Sequence, residues 1–167
     1  MEIEATRTSR IRSQYGQSLA EVALMTPLLL GMLLGAIELG RYAYISILVS
    51  NAARAGAAYA TERLTNAGNV AGIVQAAKND YQNNGQNASL LSVTTSDTCG
   101  CDNGSYPIAT ATCYPGSGAP PTCSTGSHWV VMVTVTASGT YNALFNYPWI
   151  KNPITLTKQS TMRAALN

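Results

Sequence analysis

One long apolar run lies near the N-terminus, and the hydrophobic period changes twice after it. Val22 to Ile37 is 16 residues without a charge, and Leu19 to Leu39 is a 21-residue, predominantly apolar stretch. As a helix rising about 1.5 Å per residue it would be about 31 Å long, which matches the hydrocarbon core of a bilayer. Beyond Ile37 the helical pattern continues but becomes one-sided. Tyr42, Ile45, Val49, Ala52, Gly56 and Tyr59 recur at three- and four-residue spacing, with Ser46, Ser50, Arg54 and Thr61 off that face. Glu38 and Arg41, three residues apart, can pair along this helix. The first stop is "TNAGN" (65–69), where Gly68 suits a helix end. The pattern predicts one helix over 17–64 that begins in the membrane and ends outside it. Its outer half is rich in Ala and Gly and suits close packing.

From residue 65 the pattern is that of a small domain. "NVAGIVQAAKNDYQ" (69–82) places Val70, Ile73, Val74, Ala77 and Tyr81 at helical spacing, with Asn69 as its N-cap. Strands are predicted at 89–95, 107–114, 128–138 and 154–164. Most are rich in Val, Thr and Ile and alternate, as half-buried antiparallel strands do. Tyr141, Leu144, Phe145, Tyr147 and Trp149 form an apolar loop before Pro153. The fold class is α+β, a long helix packed on a small antiparallel sheet. A core drawn from about 100 residues is modest and needs support from that helix and from covalent cross-links.

Composition narrows the function. Of the 167 residues, 11% are charged, and the net charge is +2. Arg7, Arg10 and Arg12 precede the apolar run and leave no basic patch elsewhere, which argues against a nucleic-acid partner. The same arginines, with no matching cluster just after the run, put the N-terminus in the cytoplasm and the later domain outside. A cleaved secretory signal is the competing reading. The run is long for such a signal, and no clear small-x-small site follows it. Within the run, Pro27 removes a helix hydrogen bond, and Gly31 and Gly35 form a G-x-x-x-G that permits close helix approach.

Cys99, Cys101, Cys113 and Cys123 fall within 25 residues of the segment predicted to face outward. In an oxidising compartment they read as two disulfides. Because 99 with 101 would close a strained ring, two pairings remain open: 99–113 with 101–123, or 99–123 with 101–113. C-x-C followed by two lone cysteines is poor spacing for zinc, so no metal site is expected. No cofactor and no catalytic residues are expected either. His128 is the only histidine, the acids outside the long helix are scattered, and there is no phosphate loop or nucleophile elbow. The sequons at Asn87 and Asn103 carry little weight.

The stretch "YGQSLAEVALMTPLLLGMLLGAIELGRYAYISILVSNAARAGAAYA" resembles the N-terminal region of TadE-like proteins, pseudopilins of the tight-adherence (Flp, type IVc) pilus system. A glycine before a polar residue and "LAEVAL" comes first, then "PLLL", "E-x-G-R" and "NAAR-x-GA", over about residues 12–62. The tail "ITLTKQSTMRAAL" adds a weaker likeness. The resemblance implies a pilin-like arrangement, and a precursor cut by a prepilin-type leader peptidase between Gly16 and Gln17. It further implies that Glu21, then the fifth residue, neutralises the freed amino terminus during assembly with itself or with other pilins and pseudopilins. Such a pair is tolerated in low dielectric where either charge alone is not. The expected organisation is a cytoplasmic leader (1–16), a membrane-spanning and amphipathic helix (17–64) and an extracytoplasmic disulfide-bearing α+β domain (65–167). Val22 stands where the small major pilins usually carry tyrosine, and the chain is far longer than they are. Both departures favour the larger, minor branch of the family. The expectation is a subunit that builds or primes a filament from the inner membrane. The alternative is an anchored adhesion or ligand-binding module outside any filament.

Overall fold

The computed structural model describes the backbone of residues 5–104, 109–111, 123–145 and 151–164, and side chains from residue 16 onward within those ranges, except 109–111. The chain divides into two compact units, Met1–Arg41 and Tyr42–Asn167.

The first long element, α1, runs Ala5–Glu62. It starts earlier than the apolar pattern alone marks and ends just before the predicted stop. A short α2 (Leu64–Ala67) follows, with Gly68 as its C-cap. The helix α3 covers Val70–Asn83. Its N-cap is Asn69, whose side chain accepts a hydrogen bond from the Gly72 N–H at 3.0 Å and so satisfies one of the free donors of the first turn. A 3-10 turn at Ala88–Leu90 leads into the sheet.

The strands are β1 (Leu91–Asp102), β2 (Ala109–Ala111), β3 (His128–Tyr141) and β4 (Ile154–Arg163). They form one antiparallel sheet in the order β2-β1-β3-β4. Three strands are long, and β2 adds three residues against the C-terminal end of β1. The strand expected at 89–95 is longer than its local pattern suggests, because β1 continues through Cys99 and Cys101 to Asp102. Of the strand expected at 107–114, residues 109–111 are in β2 and 112–114 lie outside the described residues, as do Tyr147 and Trp149 of the apolar loop.

Alternation along β3 explains the second unit. Val131, Val133, Val135 and Ala137 are buried on the face toward the helices, together with Leu91 of β1 and Leu156 of β4. The opposite face is rich in Ser and Thr, and cross-strand pairs bond there: Thr134 with Thr161 at 2.8 Å and Ser138 with Thr157 at 3.0 Å. Within this unit, the outer turns of α1 bury Leu48, Val49, Ala52, Ala53, Ala57 and Ala60. The buried stripe is wider than the one the three- and four-residue spacing picks out, and mostly alanine. Small side chains let the helix backbone come close. A Cβ on Gly56 would stand 3.1 Å from Val135 Cγ1, 3.3 Å from the Ala77 Cβ and 3.3 Å from the Ile73 carbonyl oxygen. The helix therefore meets α3 and the sheet at one glycine. Tyr81 of α3 fills the same core, and burial raises its pKa above the ordinary 10.0.

Candidate membrane and assembly surface

In the first unit the apolar side chains of α1 face outward. Leu19, Leu24 and Leu39 are 75%, 78% and 71% exposed, and Val22, Met25, Leu28 and Met32 are exposed as well. A helix of this length that is apolar all round and unburied can cross a membrane. Gly16, Gln17 and Glu21 are exposed on it. Pro27 lies inside the helix, one residue after Thr26, whose hydroxyl donates to the Val22 carbonyl at 2.7 Å. A Cβ added at Gly31 or Gly35 would meet nothing within 4 Å, so the backbone is open to close approach there. Arg41 Nη1 lies 3.3 Å from Glu38 Oε2, an i,i+3 pair at the end of the apolar stretch.

At the far end of the sheet the cysteines bind β1 to the segment that precedes β3. Cys101 is bonded to Cys123, and Cys99 is also in a disulfide. The 101–123 bond is incompatible with pairing 99–123; Cys113 lies outside the described residues. Cys99 and Cys101 alternate onto the helix-facing side of β1, opposite Val131 and Trp129, so the sulfur cluster closes this end of the core. The strand register makes one further grouping that linear sequence does not reveal. Asp102 pairs with His128 across β1 and β3, with its Oδ2 3.8 Å from His128 Nε2 and 3.2 Å from Arg163 Nη1 of β4. Antiparallel alternation places these three on one face, although 61 residues separate Asp102 from Arg163. The group is largely solvated and ties three strands together, a modest contribution at most. Among the described residues, no group of three or more His, Cys, Asp and Glu side chains could hold a metal ion.

Residues 16–58 match the family model described as TadE-like protein. No curated protein and no solved structure matches the chain significantly. The matched segment opens at Gly16, runs through Glu21, the exposed apolar stretch and the Glu38–Arg41 pair, and closes in the alanine-rich turns that pack on the sheet. Over residues 16–58, about a quarter of its length, the chain is similar to TadE-like proteins.

Proposed function

We propose that the chain is a pseudopilin-like structural subunit that enters or primes a type IVc-like (Tad) pilus, or a related surface filament, through its N-terminal helix. The observation that carries this reading is the position of the family match, which begins at Gly16, followed directly by Gln-Ser-Leu-Ala and then Glu21. In this reading residues 1–16 are a cytoplasmic leader, residues 17–64 the spanning and amphipathic helix, and residues 65–167 the extracytoplasmic domain. A prepilin-type leader peptidase cuts between Gly16 and Gln17. The freed amine of Gln17 and the carboxylate of Glu21 then neutralise one another in a bundle of like helices. Pro27, Gly31 and Gly35 allow the helix to leave lipid and repack against other pilins or pseudopilins. The apolar run supports the inner membrane as the starting place, and Arg7, Arg10 and Arg12 ahead of it support an N-terminus inside.

The test is the mass of the intact mature chain, taken from membranes and from sheared surface filaments. A chain beginning at Gln17 in both fractions is the expected result, with Gly16→Trp accumulating as full-length precursor in the membrane. An identical mature N-terminus in wild type and Gly16→Trp would refute the processing step. A processed chain that never leaves the membrane and co-purifies with no pilin would favour the anchored-module alternative.

A further inference from the structure

The second compact unit begins at Tyr42, three residues after Leu39 closes the apolar stretch. Whatever angle the two units adopt, three residues of chain reach at most about 11 Å, so Tyr42 lies close to the end of that stretch. The ring of Tyr42 is edge-on to that of Tyr141, with centroids 5.6 Å apart and planes at 88°. Tyr141 is the last residue of β3, so the chain that leaves β3 starts beside the root of the unit. It carries Leu144 and Phe145, which are 57% and 45% exposed. Both are held near the root: Ala143 packs on the core cluster that includes Leu48 and Tyr141, and its N–H donates to Asn152 Oδ1 at 3.2 Å. Lys151, next to Asn152, is exposed at the same closure. Tyr44, on the same first turns of the unit, is also exposed.

We propose that Leu144 and Phe145 are seated in the headgroup region of the bilayer that α1 spans, a second, shallow membrane contact made by the residues that directly follow β3. Three features select lipid as the occupant. The patch is rooted at Tyr42 and Tyr141, only a few residues of chain past the end of the apolar stretch. Its make-up is that of an interfacial belt, with tyrosines beside bulky apolar side chains. Lys151 supplies a cation suited to anionic headgroups. Two contacts at one root would restrict how far the outer unit can tilt about the helix, and leaving the membrane would require breaking both. The inference rests on the membrane-spanning reading of α1 and not on pilus assembly.

The experiment uses the full chain reconstituted in phosphatidylethanolamine–phosphatidylglycerol vesicles. Phe145→Trp is made in a Trp149→Phe background, with Leu144→Trp as a second reporter should the first perturb the loop. Brominated phosphatidylcholine, with bromine either near the headgroup end or near the terminus of the acyl chain, is the quencher. Trp129 serves as the internal control, because it is the second residue of β3 and lies about 40 Å along the strand from Tyr141 at about 3.3 Å per residue. The expected result is a blue-shifted reporter that loses more than half its emission to shallow bromine and much less to deep bromine. The parent retaining only Trp129 should be unaffected by either. Free quenching of the reporter by aqueous iodide, with no effect of brominated lipid, overturns the proposal. Protection from both quenchers also overturns it, because protein and not lipid would then cover the patch. Vesicle flotation separates the two readings: a chain that fails to float refutes the span and the lipid contact together, whereas one that floats without quenching refutes only the contact.

Discussion

Gly139 of β3 and Val49 of α1 are in such close approach that a Cβ on the glycine would stand 2.6 Å from Val49 Cγ2. Val49 is fully buried, and Leu91 and Tyr81 crowd the same spot, so the valine has little room to yield. Gly139→Ala should destabilise the chain by about 1 to 3 kcal/mol, the usual effect of overpacking a filled core. The double change Gly139→Ala with Val49→Ala should cost less than the sum of the two single changes, since the smaller partner relieves the clash. Chemical denaturation of the four proteins in the same detergent checks this. Additive effects would mean that the two residues do not share the contact.

Most of this architecture can be read from the sequence because its signals are local and periodic. Asn69, the three- and four-residue spacing from Val70 to Tyr81, and the alternation through "VVMVTVTAS" each fix an element without reference to the rest of the chain. The apolar run is equally plain, because nothing polar breaks it. What the pattern misses depends on pairing partners. β1 extends through Cys99 and Cys101 because β3 offers a register partner for each residue, whereas "SDTCGCD" has no strand signature of its own. His128 has no acid near it in sequence, yet that same register brings Asp102 opposite it. Ala53, Ala57 and Ala60 carry too little hydrophobicity to announce a buried face, although small size is what fits them to it.

The Asn69 cap is expected to contribute measurably to the second unit. Its side chain accepts from the Gly72 N–H, and its Nδ2 donates to Tyr59 Oη at 3.1 Å, linking the start of α3 to α1. Asn69→Ala should cost about 1 kcal/mol, and Asn69→Asp, which keeps the acceptor, should cost less. Unfolding midpoints of the two variants against wild type give the answer. Equal losses would place the value of the residue in its Tyr59 contact and not in capping.

The Cys101–Cys123 bridge closes a loop of 22 residues. By the chain-entropy relation such a closure is worth about 3 kcal/mol of unfolded-state constraint. Cys101→Ser with Cys123→Ser should lower stability by roughly that amount, and native unreduced wild type should take up no alkylating reagent at any cysteine. Mass spectrometry after alkylation, with and without reduction, reads the thiols directly. Labelling of unreduced native protein would contradict the bridged state.

Tyr81 makes stability sensitive to alkali. Its folded pKa is raised by burial above the ordinary value of 10.0, so between the unfolded and folded values the native state holds a proton that the unfolded chain has released. Stability from this group is therefore fully present below about pH 10 and is lost as pH rises from there through the folded pKa. Tyr81→Phe should flatten that alkaline limb while keeping the ring in the core. Denaturation midpoints measured from neutral pH upward test it. An unchanged slope in Tyr81→Phe would assign the alkaline loss to other groups.

Glu21 is expected to serve assembly and not insertion. Its side chain is exposed near the start of the apolar stretch, a depth at which a carboxylate can reach the headgroups, and in the proposed topology orientation follows from Arg7, Arg10 and Arg12. Glu21→Ala should therefore reach the same membrane level with the same orientation. In a bundle of processed helices the amine of Gln17 would be partly desolvated, and without Glu21 its charge would be left uncompensated, a loss of several kcal/mol when one partner of a buried pair is removed. Incorporation into filaments, or into a complex with partner pilins, should fall steeply. Glu21→Gln separates charge from size, because it fills the same volume without neutralising the amine, and it should fail as Glu21→Ala does. Membrane level and filament incorporation, measured side by side for the three proteins, check the expectation. Equal incorporation at equal membrane level would leave Glu21 a residue that only snorkels. A drop in membrane level itself would move its role to insertion. Normal insertion with failed assembly in both variants is the outcome that a charge-pairing role demands.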